Sequence, residues 1–203
     1  MIKADYKKEL KHLYSAREGE PVVVVVPKLH FLMVDGKGDP NTSHDYSDAI
    51  QALYSVAYTI KFLCKNKYGQ DFGVMPLESL WWTEDMATFS EANKNDWYWT
   101  AMIMQPESVT NEQFAEAVTQ IRAKKALRLL DKIRFEVYDE GRAAQVLHVG
   151  SYASEGQTIR ELHAFIAQQG GTLNAAKHHH EIYLSDPRRT DPSRLKTILR
   201  QPF

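Results

Sequence analysis

Glu181, Tyr183 and His148 combine an acid, a hydroxyl and an imidazole on segments whose residues read as β-strand. In "HEIYLS", residues 180–185, side chains alternate, so Glu181, Tyr183 and Ser185 share one face and Ile182 and Leu184 the other. In "QVLHVG", residues 145–150, Leu147 and Val149 are expected on the apolar side beneath a helix, with Val146 and His148 on the side of Glu181. A carboxylate inside such a strand is costly to bury unless it is paired, hydrogen-bonded or protonated. A solvent-facing glutamate on an edge strand is one reading. A pocket carboxylate is the other, and the same polar-in-front, apolar-behind split in two separate strands favours it.

The first half of the chain supplies rings. All four tryptophans, Trp81, Trp82, Trp97 and Trp99, fall in one expected hairpin with Tyr98, and Tyr54 and Tyr58 lie one helical turn apart. Alternation sends Trp81 and Trp82 to opposite faces, so core packing does not absorb the whole cluster. Trp82 and Trp99 are the leading candidates for an aromatic wall, followed by Trp97, Tyr54 and Tyr58. Other chemistries lack their signatures. His178 and His180 share a strand face, but no CxxC, HExxH or further ligand completes a metal set. "DGKGDPN" lacks the spacing and the Lys-Ser/Thr ending of a phosphate loop, and no GxSxG is present. No metal and no cofactor is expected.

The chain has 203 residues, 43% hydrophobic and 25% charged, with a net charge of -1, the balance of an ordinary globular domain. Without a basic run it is not expected to bind nucleic acid, whose capture rests on clustered Lys and Arg. The single cysteine, Cys64, sits in a helical pattern and reads as a packing residue in a reducing compartment. The charged N-terminus has no signal-peptide core, and "PVVVVV" is too short to cross a bilayer. The expectation is a cytoplasmic protein that does not engage membranes.

Residues 1–20 read as a helical lead-in to one domain over 21–203. "PVVVVVPKLHFLMVDG" reads as two strands broken at Pro27-Lys28, and residues 45–65 as a helix. Strands follow in "FGVMPLESLWWTE" and "DWYWTAMIMQP", joined by the polar loop 85–95. The second half repeats the order: a helix over 111–127, a hairpin turning at Asp139-Glu140-Gly141, a helix over 155–171, short strands in "TLNAAKHHHEIYLSDP", and a closing helix in "DPSRLKTILRQP" capped by Asp191. This self-similarity predicts an α+β fold of two pseudo-duplicated hairpin/helix/strand-pair units, about 21–106 and 107–203. A ligand cleft is expected between them, with the helices on the sheet faces away from it.

"DGKGDPN", "ALYSVAYTIKF", "PLESLWW", "LHVGSY", "HHHEIYLSDPRR" and "LKTILRQP" together resemble the GyrI-like family, from about Lys28 to Phe203. The resemblance implies tandem SHS2-type repeats around a cleft with a central glutamate, which falls on Glu181, and a hydrophobic, often cationic small molecule as partner. It is closer to the stand-alone members than to those fused to DNA-binding domains. A related activity implied by the family is hydrolysis of cyclopropanoid, yatakemycin-like genotoxins. Glu181 would then be the general base, and Tyr183 or Tyr152, or else His148, would bond the developing phenolate.

Overall fold

The computed structural model describes residues 3–84, 91–174 and 176–203; most of the loop expected at 85–95 lies outside them. The lead-in forms a two-residue strand β1 (Lys3–Ala4) and two short helices, α1 (Tyr6–Glu9) and α2 (Lys11–Tyr14). Strands β2 (Val22–Val26) and β3 (Leu29–Lys37) lead to the long helix α3 (His44–Tyr68). Ser43 caps α3 by accepting from the Asp45 N–H, and Gly69, at φ 70, ends it in the left-handed conformation that suits glycine. Then come β4 (Asp71–Phe72), β5 (Leu77–Trp82), β6 (Tyr98–Gln105) and α4 (Asn111–Arg122), the last opened by a Thr110/Gln113 capping box. The chain closes with β7 (Arg134–Tyr138), β8 (Gly141–Val149), α5 (Glu155–Gln168), β9 (His179–Tyr183) and β10 (Lys196–Pro202).

Eight strands form one antiparallel sheet in the order β2-β8-β10-β9-β5-β6-β3-β7. Its two halves share a plan. β3-α3-β5-β6 and β8-α5-β9-β10 pair their strands in the same way, and they meet where β5 runs beside β9. The flanking strands are exchanged: β2 pairs with β8, and β7 pairs with β3. Both expected hairpins are therefore corrected. Val26 and Leu29 are separated only by Pro27 and Lys28, and Tyr138 and Gly141 only by Asp139 and Glu140, yet each link joins strands far apart in the sheet. A link of two residues spans only about 10 Å, so the sheet must curl until its ends approach.

A second correction concerns the C-terminus. Asp191 does cap, accepting from Ser193, but only a single 3-10 turn follows. Residues 196–202 are a strand lying between β8 and β9, where Thr197 and Ile198 are fully buried. Helical spacing in so short a segment loses to β-branched side chains filling a central strand. Before β9, "TLNAAK" contributes no strand among the described residues.

The third correction sets the site. The faces sort as alternation predicts, but the helices cover the other one. Register aligns Val146, Leu199, Glu181 and Ser79 across four strands. Val146 and Leu199 pack with Leu162 and Ile166 of α5, while Tyr46 of α3 bonds Ser79. Both helices thus lie on the Glu181 face. Ile182 and Ile198 face the opposite way, into the core cluster that includes Leu13 of α2. Ile182 is fully buried there, while Leu184, just past the end of β9, is 36% exposed.

Candidate functional site

Glu181 sits at the β5–β9 join, opposite Ser79, between α3 and α5. Its side chain is 12% exposed. Tyr183, two residues on and therefore on the same face, donates its hydroxyl to Glu181 Oε2 at 2.7 Å. Trp81 Nε1–H donates to the Tyr183 hydroxyl at 3.1 Å, extending the chain of donors aimed at the carboxylate. Tyr46 shares a 2.8 Å hydrogen bond with Ser79 Oγ and places its ring 5.3 Å from that of Trp81. Tyr152 meets Tyr183 edge-on at 5.7 Å, and Trp97 meets Trp81 at 5.6 Å.

The phenols are poor acids here. Burial, then the Glu181 charge, raises Tyr183 well above the usual tyrosine range. Burial, followed by the nearby Glu155 and Glu181, pushes Tyr152 up to about 12. Both remain protonated donors at neutral pH. Donors that stay protonated suit an anion on a neighbouring group and leave Glu181 as the acceptor.

The expected residues divide. Tyr183, Tyr152 and Glu181 come together, and Trp97 borders them through Trp81. Tyr54 is partly buried, with its hydroxyl reaching the Leu77 backbone, and its ring lies 6.3 Å from the largely exposed Tyr58 at the edge of this region. His148 shares the Glu181 face as expected, but its ring is used up. Nδ1 bonds Thr158 Oγ1 at 2.9 Å, and Nε2 lies 3.1 Å from Ser154 Oγ and 3.2 Å from the Ser151 carbonyl, locking it beneath the start of α5. Trp99 is fully buried beside Tyr46, in a space that exists because residue 36 is glycine: a Cβ there would lie 2.1 Å from the indole. It is core. Trp82 projects to the opposite face and stacks on His178 at 4.1 Å and Tyr98 at 5.8 Å, away from Glu181.

Tyr46, Ser79 and His179 were not anticipated, and Trp81 was passed over for Trp82. A tyrosine stripe at positions 46, 54 and 58 was readable as one side of α3, and Trp81 shares the parity of Ser79. Alternation sets His179 on the side of Glu181 and apart from His178 and His180, but nothing in the residues marks it as part of a site. It is 3% exposed, and its Nε2 lies 3.5 Å from Glu181 Oε1 without hydrogen-bond geometry.

Behind the site, on the other face of β9, lies a buried ionic cluster. His180 Nε2 bonds Glu78 at 2.9 Å and Nδ1 bonds Glu140 at 2.8 Å; Glu140 also receives Arg200 at 3.0 Å, and Tyr14 donates to Glu78 at 2.8 Å. A carboxylate oxygen faces each ring nitrogen, so both nitrogens donate and the ring is an imidazolium. Burial opposes that charge, but Glu140 and Glu78 outweigh it and raise His180 to about 9. Glu140, despite burial, is held at about 2 by His180 and Arg200.

Open hollows of about 450 and about 600 Å³ lie elsewhere, the first bordered by Arg189, Arg194 and Lys196, the second by Phe62 and Leu63. The rings of Tyr46, Trp81, Tyr152 and Tyr183 gather about Glu181. Among the described residues no group of three His, Cys, Asp or Glu side chains is placed to hold a metal, and no helix is long and apolar enough to cross a membrane.

Comparison with known proteins gives the family. An uncharacterized conserved protein from Listeria innocua is 40% identical, with 98% of each chain covered and a TM-score of 0.90. A Listeria innocua protein named as a hydrolase is 38% identical, with 98% of each chain covered and a TM-score of 0.85. The C-terminal domain of EcmrR shares the fold at 14% identity, covering 90% of this chain and 96% of its own, with a TM-score of 0.55. No curated protein matches the chain. The model of the GyrI-like small molecule binding domain matches residues 19–202, and the chain belongs to the GyrI-like family.

Proposed function

We propose that the protein binds hydrophobic, aromatic and often cationic small molecules of the xenobiotic type between α3 and α5, against Glu181. One observation carries this reading: a largely buried carboxylate ringed by Tyr46, Trp81, Tyr152 and Tyr183, with His179 the only cationic-capable side chain in ion-pair range among the described residues. Aromatic faces attract a cation by about 0.5–2 kcal/mol, and a desolvated carboxylate adds the opposite charge. Tryptophan fluorescence read during titration with the flat cation ethidium tests it. Quenching is expected, and Glu181→Gln should weaken it at least tenfold, on the order of one buried charge pair. Equal weakening for an uncharged ring system such as phenanthrene would overturn the electrostatic role.

The near-full-length similarity to a protein named as a hydrolase supports a second reading, hydrolysis, for which we propose opening of the cyclopropane in cyclopropanoid genotoxins. A water held by Glu181 would attack the ring carbon and surrender its proton to the carboxylate. The cyclopropane C–C bond would break, its electron pair passing through the conjugated dienone to form a phenolate. Tyr152 or Tyr183 would hydrogen-bond that oxygen, which then gains a proton. His148, with its ring engaged, takes no part in this account. Mass spectrometry of a cyclopropanoid incubated with the protein would find the water adduct. Glu181→Gln should slow its formation by about 10²–10⁴, and a variant within tenfold of wild type would remove Glu181 as the base.

A further inference from the structure

We propose that His179, with His163 behind it, forms a hydrogen-bonding end to the Glu181 cleft and selects ligands that carry an N–H or O–H group on their aromatic rings. The inference rests on the binding reading above and names the ligand class within it. Both ring nitrogens of His179 lack a hydrogen-bond partner although the residue is 3% exposed. His163, on α5, is close enough for the two imidazoles to act electrostatically on each other; Gln201 reaches its ring, and its Nε2 has no hydrogen-bond partner. Thr197 Oγ1, buried in β10 opposite Tyr183, is a fourth such atom on this face. Buried polar side chains nearly always find partners, so a group of them beside a carboxylate marks where a bound molecule supplies the missing contacts.

The chemistry of the ring sets the preference. His179 Nε2 faces Glu181 Oε1, and a carboxylate only accepts, so the neutral tautomer that suits this pair carries its proton on Nε2. Nδ1 is then an acceptor with nothing to accept. A ligand amine or hydroxyl fills that place, and His163 Nε2 offers a second contact.

Two permanently charged flat cations separate the effects. 10-Methylacridinium has no donor, whereas 3,6-diamino-10-methylacridinium carries aromatic N–H groups. Glu181→Gln should weaken both alike. His179→Phe should weaken the diamino cation by about tenfold, the worth of one buried hydrogen bond, and the donor-free cation by less than about twofold. His179→Gln, which keeps a polar side chain, should recover part of the loss. Thermal unfolding checks that each variant is folded. If His179→Phe does not fold, His179→Gln and His163→Ala carry the same selective comparison. Equal losses for both cations, or none, would overturn the proposal. Failure of both cations to bind the wild type would overturn the binding reading itself, and this inference with it.

Discussion

His179 and His180 are adjacent in one strand, both buried, and chemically opposite. His180 faces a cluster in which Glu78, Glu140, Arg200 and Tyr14 satisfy one another and the ring. His179 faces Glu181 and the helices with neither nitrogen bonded. A one-residue step along the strand therefore separates a finished polar network from an unfinished one. The finished one ties the lead-in to the sheet: Arg200 also bonds the Leu13 carbonyl, and Gln145 the His12 carbonyl. The unfinished one is where we propose that a ligand binds. Burial alone does not tell the two histidines apart; the state of their hydrogen bonds does.

The largest effect should come from breaking the finished side. Arg200→Ala leaves Glu140 with half its partners and frees the Leu13 carbonyl, and removing one member of a buried ion pair costs about 3–5 kcal/mol. A urea denaturation midpoint should fall accordingly; a loss below about 1 kcal/mol would mean that the cluster is solvated. Next in size is a pH effect. His180 is raised from 6.5 to about 9 on folding, so its contribution is full below about 6.5 and disappears as pH rises through about 9. Glu140 is depressed to about 2, so its contribution holds above 4.5 and is lost as acid approaches about 2. Stability measured from pH 6 to 10 should decline across the upper window, and a flat profile would show a neutral ring.

The smallest effect sharpens the comparison on the open side. Trp81→Phe should remove much of the ligand-induced fluorescence quenching and loosen Tyr183, whereas Trp82→Phe, on the far face, should leave the quenching in place. Quenching that follows Trp82 instead would move the binding site to the other side of the sheet.

Much of this was legible in the residues. Period-two alternation sorted Glu181, Tyr183 and His148 onto one face because pleating fixes that relation locally. Which face the helices would cover was not legible, since alternation is identical either way and the choice depends on the distant lead-in that shields Ile182 and Ile198. Strand partners were misread at β2 and β7 for a related reason. A short link after a strand suggests a hairpin, and only the curl of the complete sheet lets it join separated strands. Trp82 and Trp99 were ranked above Trp81 because ring type says nothing about a neighbour such as Gly36, whose missing side chain draws Trp99 into the core.

The exchange of flanking strands also dictates how the molecule can be made. The five valines of β2 pair with residues 141–145 on β8, so during synthesis they wait for well over half the chain to emerge. Until then an uncharged, β-prone ribbon is without its partner, the kind of segment through which nascent chains associate. β7 in turn completes the sheet beside β3 only from the second half. A chain that stops before residue 141 leaves the ribosome without the strand that β2 pairs with.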